Sequence, residues 1–95
     1  MQICEFQEIM RNLYFQRDYD RGIKGTYDWL VEELKELKEA LERNDKEAAE
    51  KEFADVIAWI ASLANLAGIN LERAAISKYS GGCPKCHQTP CQCRV

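Results

Sequence analysis

Glu33 and Glu36 lie in the run Glu32-Glu33-Leu34-Lys35-Glu36, and Glu52 and Asp55 in the run Glu52-Phe53-Ala54-Asp55. Acids three residues apart share one face of a helix, so each pair can present two carboxylates side by side. The pairs are symmetric about Asn44: Glu36 and Glu52 are equally far from it in opposite directions, and so are Glu33 and Asp55. If the intervening chain forms two antiparallel helices that turn at Asn44, Glu36 faces Glu52 and Glu33 faces Asp55. At the helical rise per residue, both levels lie roughly 12 to 17 Å from the turn. Four carboxylates at one level of a hairpin repel each other unless a cation sits among them, and hard oxygen ligands suit Mg²⁺, Mn²⁺ or Ca²⁺.

A second cluster is soft rather than hard. Cys83, Cys86, Cys91 and Cys93 form a C-x₂-C-x₄-C-x-C pattern, with His87 as a fifth candidate ligand and with Pro84 and Pro90 tightening the turns. The first half has the spacing of a zinc knuckle, and four thiolates make a closed tetrahedral site for a structural Zn²⁺ with no open catalytic position. Free thiols on a loose tail, or disulfides in an oxidising setting, are the competing readings. The remaining cysteine, Cys4, is expected to be an ordinary buried thiol.

These residues need helices to position them. Ile3, Phe6, Ile9, Met10 and Leu13 recur at helical spacing and predict a first helix of about 15 residues. Asp18 to Gly25 is polar, contains two glycines and reads as a loop. Thr26 is placed to cap a second helix, whose apolar stripe is Leu30, Leu34, Leu37 and Leu41. Asn44-Asp45 closes it and caps the next. Phe53, Val56, Ile57, Ile60, Leu63, Ala64 and Ala67 line a third helix that stops at Gly68. A short fourth helix runs from Asn70 to near Tyr79. The expected architecture is all-α: a four-helix domain over residues 1–80 and a zinc-knuckle-like tail over residues 81–95, with Gly81-Gly82 as a flexible joint.

Ninety-five residues make one small domain with a thin margin for a core. Ile57, Ile60, Leu63 and Leu66 cover more than one face of the third helix, so a homo-oligomer, dimer or tetramer, is expected. The net charge of −3 offers no basic field for nucleic acid. No apolar run suits a membrane and no signal peptide is evident, so a cytoplasmic protein is expected.

The acids admit a plainer reading. Glu39, Glu42, Glu47 and Glu50 read as a solvated face, and Glu32 can pair with Lys35 or Lys38. Glu52 and Asp55 differ because they flank the apolar run Val56 to Ala61, where a carboxylate is costly unless paired or metal-bound. Trp29 and Trp59 fall on the same faces as the acids and offer flat surfaces for a base, although a Trp at such spacing also serves a core or an interface.

Glu32-Glu33-x-x-Glu36 followed by Glu52-x-x-Asp55 resembles the signature of the MazG-like nucleotide pyrophosphohydrolases. These belong to the all-α NTP pyrophosphatase superfamily, alongside dimeric dUTPases and phosphoribosyl-ATP pyrophosphohydrolases. The resemblance runs from about residue 5 to residue 80 and includes Glu-Phe-Ala-Asp-Val-Ile-Ala-Trp and Leu-Ala-Asn-Leu-Ala-Gly-Ile-Asn-Leu-Glu-Arg-Ala. It implies Mg²⁺-dependent (or Mn²⁺-dependent) cleavage of a nucleoside triphosphate between its α and β phosphates, a task that extends to non-standard nucleotides. By the same resemblance Glu33, Glu36, Glu52 and Asp55 are metal ligands, and Glu32 is a base or an outer ligand. Lys78 occupies the family's late basic position, with Arg73 a weaker choice for phosphate. Asn65 could touch sugar or phosphate, and Gln7, Arg11 and Asn12 could line the pocket. The alternative from a different class is a zinc-tailed helical interaction module without catalysis. Burial of Glu52 and Asp55 beside Trp59 separates the two, since an interaction module gains nothing from acids there.

Overall fold

The computed structural model describes residues 1–94, and among them every regular element is helical. Helix α1 spans Ile3–Glu42, α2 Lys46–Ala67 and α3 Leu71–Tyr79. Three helices thus stand where four are expected, because the first two merge into α1. The break between them is confined to Gly22, whose φ of 83° and ψ of 169° lie outside the helical region. The polar stretch Asp18–Gly25 is not a loop. Asp18 is 2% exposed and Thr26 0%; the Arg21 guanidinium donates to Asp18 at 2.9 Å on its own side of the break and to Thr26 at 3.2 Å across it. These residues are polar because they build a buried polar knot. Thr26 spends its hydroxyl there as an acceptor.

The turn after α1 follows the expected chemistry. Asn44 takes a left-handed φ of 56°, a conformation that asparagine tolerates. Asp45 caps α2, its carboxylate accepting from the Ala48 N–H at 3.0 Å. Gly68 ends α2 with a left-handed φ of 69°, and Asn70 caps α3 by accepting from the Arg73 N–H. Among the described residues no single helix is long and apolar enough to cross a membrane.

Helix α2 is the spine, and the bend in α1 lets one helix cover both ends of it. Near the turn Ala40 and Ala49 are buried and line one groove, and farther along Met10, Ala58 and Trp59 line another. Buried amides lock the far end. The Gln7 side chain donates to Asn65 Oδ1 (3.0 Å) and to the Ile69 carbonyl (2.7 Å), and accepts from the Leu71 N–H (2.9 Å). Asn65 in turn donates to the Gln7 carbonyl at 3.2 Å.

The apolar core is slight: Met10, Ala40, Ala49, Val56, Ala61 and Ala64. Leu34, Leu41, Phe53, Ile57 and Ile76 are exposed, whereas Ile60, Leu63 and Leu66 are half-buried. Cys4 is also only half-buried, not the buried thiol expected.

A Cβ at Gly22 would meet nothing within 4 Å, so the cost of Gly22→Ala comes from the backbone angles alone. The substitution should destabilise the fold by about 1–3 kcal/mol, read as a lower urea midpoint at unchanged slope.

Candidate metal centres

The helical hairpin brings Glu33, Glu36 and Glu52 together, each offering a carboxylate oxygen within 4.8 Å of the others. Glu33 and Glu36 come from the second half of α1 and Glu52 from the second turn of α2. Asp55, one turn further along α2, lies outside that group and is exposed. It still acts through its charge on Glu33. The burial argument therefore holds for Glu52, and passes from Asp55 to Glu33. Glu33 and Glu52 are half-buried, and Oε2 of each is shut off from solvent with no hydrogen-bond partner. Two orphaned carboxylate oxygens beside a third acid form an arrangement that either a shared proton or a cation relieves.

The proton affinity of Glu33 records this frustration. Its pKa is raised to about 7, first by desolvation and then by the neighbouring Glu36 and Glu52 carboxyls, with the charge of Asp55 adding to it. Glu32 lies outside the cluster. It is exposed and pairs with Lys35 at 3.2 Å, the surface pairing anticipated for it.

The two tryptophans that flank the acids stack on each other, with centroids 6.0 Å apart and planes 10° apart. The Arg21 guanidinium lies over Trp59 at 4.8 Å from its ring centroid. Trp29 stays 52% exposed. Asn65 is buried and its amide is used within the chain, together with Gln7, to fasten α1 to α2. Lys78 is exposed in the last turn of α3, 5.7 Å from the Tyr79 ring. Helix α3 departs from α2 at a bend of 100°, beyond Ala67 and so roughly 22 Å along the axis from Glu52. Arg73 shares that helix. Sequence reasoning missed Asp18 and Arg21. Their only signal is an acid and a base three apart beside a glycine, which any surface helix can show.

In the tail Cys83, Cys86, Cys91 and Cys93 bring their sulfurs within 4.8 Å of one another. Three separations are 3.6 Å (Cys83–Cys93), 3.6 Å (Cys83–Cys91) and 3.9 Å (Cys86–Cys91). A tetrahedron of sulfurs about 2.3 Å from a zinc ion has edges of about 3.8 Å. All four cysteines are free thiols. The N–H groups of Cys86 and Lys85 point at the Cys83 sulfur and lower its pKa to about 6, and the Gln92 and Gln88 N–H groups lower that of Cys86. Cys93 is pushed up to about 11 by the three neighbouring cysteines. His87 is exposed and outside the group.

Gly82 is no slack joint. A Cβ there would lie 2.8 Å from Thr89 Oγ1 and 3.2 Å from the Gln88 carbonyl, so the tail folds tightly back on its own entry.

The raised carboxyl of Glu33 has a pH consequence for the metal-free protein. A folded state that binds the proton more tightly than the unfolded chain gains stability below the unfolded pKa, and loses that gain as pH rises through about 7. Thermal unfolding in chelator should therefore move to lower temperature from pH 5 to pH 8. Added Mg²⁺ should restore the midpoint at pH 8 and do little at pH 5. Glu33→Gln should flatten both responses.

A family model for the MazG nucleotide pyrophosphohydrolase domain matches residues 21–87, well over half of the chain. The matched stretch takes in all three clustered acids and Asp55, and runs past residue 80 into the first half of the cysteine tail. Among curated proteins no match is found.

Proposed function

This chain belongs to the MazG nucleotide pyrophosphohydrolase family, and from that premise we propose that it is a metal-dependent hydrolase that splits a nucleoside triphosphate between the α and β phosphates, releasing a monophosphate and pyrophosphate. The observation that carries this reading is the pair of orphaned, solvent-shielded oxygens on Glu33 and Glu52, within ligand distance of Glu36. An interaction surface gains nothing from such acids, whereas a divalent cation satisfies them. Glu33, Glu36 and Glu52 would hold the ion, with Asp55 completing the set. All-oxygen donors favour Mg²⁺ or Mn²⁺. When bound, the ion neutralises phosphate charge and makes phosphorus easier to attack.

The chain's own groups supply the rest. In the metal-free chain Glu33 holds a proton up to near-neutral pH, which suits a group that gives that proton up when a cation arrives. Glu32 remains the outer acid of the set. The exposed face of Trp29 is the available stacking surface for a base, while Trp59 is engaged by Arg21 and Trp29. Asn65 would contribute to the pocket by holding its wall. Lys78 and Arg73 stand apart from the acids of their own chain, so contact with a triphosphate would be made in a neighbouring protomer's site. A homo-oligomer, dimer or tetramer, is supported by the thin core and by the exposed Leu34, Leu41, Phe53 and Ile57. The setting proposed is the cytoplasm, with no membrane or nucleic-acid partner.

The test is pyrophosphate release from a panel of standard and non-standard nucleoside triphosphates, with and without Mg²⁺. Turnover should require the ion. Glu36→Gln and Asp55→Asn should each lower it by about 100-fold or more, the scale of removing one transition-state charge stabiliser, with helical circular dichroism unchanged. Wild-type turnover in either variant would remove that residue from the site.

The tail is proposed to hold one structural Zn²⁺ on Cys83, Cys86, Cys91 and Cys93. The near-tetrahedral sulfur spacings support this, and so do the N–H groups that stabilise thiolate on Cys83 and Cys86. Protein purified under reducing conditions should contain one zinc per chain by elemental analysis, and Cys86→Ser should lose it. Removing residues 81–95 should leave Mg²⁺-dependent turnover measurable.

A further inference from the structure

The acids beside Glu52 attract a metal ion but repel the phosphates that must join it. A triphosphate at that site needs a cation within reach. We infer that Arg21, clamped by the buried Asp18 and assisted by Arg17, is the residue that binds the triphosphate beside the carboxylates. The inference rests on the pyrophosphohydrolase reading.

The location comes first. A groove of about 300 Å³ between the first half of α1 and α2 is lined by Tyr14, Arg17, Asp18, Arg21, Asp55 and Trp59. It joins Asp55, the outermost acid, to two guanidinium groups. The presentation of Arg21 is the second observation. Its Nη1 donates to Asp18 Oδ1 at 2.9 Å and to Thr26 Oγ1 at 3.2 Å, and its plane lies over Trp59. Guanidinium carries five N–H donors. Those on Nη2 and Nε have no acceptor among the described residues, and the side chain is 26% exposed. One edge is tied down and the other is open. Such an arginine has already lost the rotamer freedom that binding would cost it, and its fork matches two phosphate oxygens.

The third observation is that Asp18 is a poor device for stability alone. It is 2% exposed, and its Oδ2 is buried with no partner. A buried, half-satisfied carboxylate is costly. As a clamp it makes sense, because it fixes a cation at the mouth of the groove. Asp18 is thus a positioning residue that acts through Arg21. Arg17 is exposed and adds a second charge.

The test uses the full chain and a nucleoside triphosphate whose α–β bridging oxygen is replaced by methylene, titrated calorimetrically with Mg²⁺ present. Arg21→Lys keeps the charge and can keep a bond to Asp18, but loses the fork. It should weaken the analogue by about tenfold or more, the scale of one charge-assisted hydrogen bond. The corresponding nucleoside monophosphate should be affected much less. Arg17→Gln, at an exposed position that carries no folding burden, should weaken the analogue severalfold. Asp18→Asn should raise KM more than it lowers kcat. Folded Arg21→Lys and Arg17→Gln proteins that bind the analogue as wild type does would overturn the inference and leave the pyrophosphohydrolase reading standing, as would equal weakening of triphosphate and monophosphate. Should Arg21→Lys fail to fold, wild-type binding by Arg17→Gln alone would count against the groove. A wild-type chain that binds no analogue would sink the broader reading and this inference together.

Discussion

Repulsion among carboxylates is the constraint on which the rest of the structure turns. The antiparallel packing of the second half of α1 on α2 forces Glu33, Glu36 and Glu52 to within 4.8 Å of one another, and it closes Oε2 of Glu33 and Glu52 off from water. A hairpin held only by apolar contacts would turn these acids outward. Here the charge is kept in, and near-neutral protonation of Glu33 is one way the metal-free chain lowers its cost. A divalent cation is another way, and only that one leaves all the carboxylates ionised.

Holding such a cluster calls for rigid support, which the core scarcely supplies. Five of its six apolar residues are small, alanine or valine. Support comes instead from polar and aromatic contacts placed on either side of the acids. Trp29 and Trp59 tie α1 to α2 beside the cluster. Asp18, Arg21 and Thr26 brace the bend at Gly22, and Gln7 with Asn65 locks the far end. Buried hydrogen bonds of this kind specify one arrangement, because each unmade partner costs more than the bond gains. They also leave apolar surface uncovered, Leu34, Leu41, Phe53 and Ile57 among it.

The tail solves a similar problem with softer atoms. Four sulfurs converge on spacings close to a zinc tetrahedron, and backbone N–H groups favour thiolate on two of them. So few residues cannot build an apolar core, so a metal is the natural source of its cohesion. Hard and soft donor sets favour different ions.

Much of this was legible in the sequence. Apolar spacing, the Asn44-Asp45 turn and the stops at Gly68 and Tyr79 marked the helices, because local patterning and capping are written in neighbouring residues. The acid pairs announced themselves by a symmetry that any antiparallel hairpin converts into proximity, and the cysteines by a spacing that short turns close. The sequence could not separate a polar loop from a kinked helix: Asp18–Gly25 has the composition of the first and is the second, with Asp18 buried beneath Arg21. Nor could it say which acids lose their water, since Asp55, on the apolar helix, is exposed while Glu33, in a charged run, is shielded. Burial depends on what packs opposite, and Arg21 reaches Trp59 and the groove beside Asp55 only after α1 has bent back along α2. Spacing along the chain fixes which side chains share a face. Only the packing of one helix on another decides which of them meet, and which meet water.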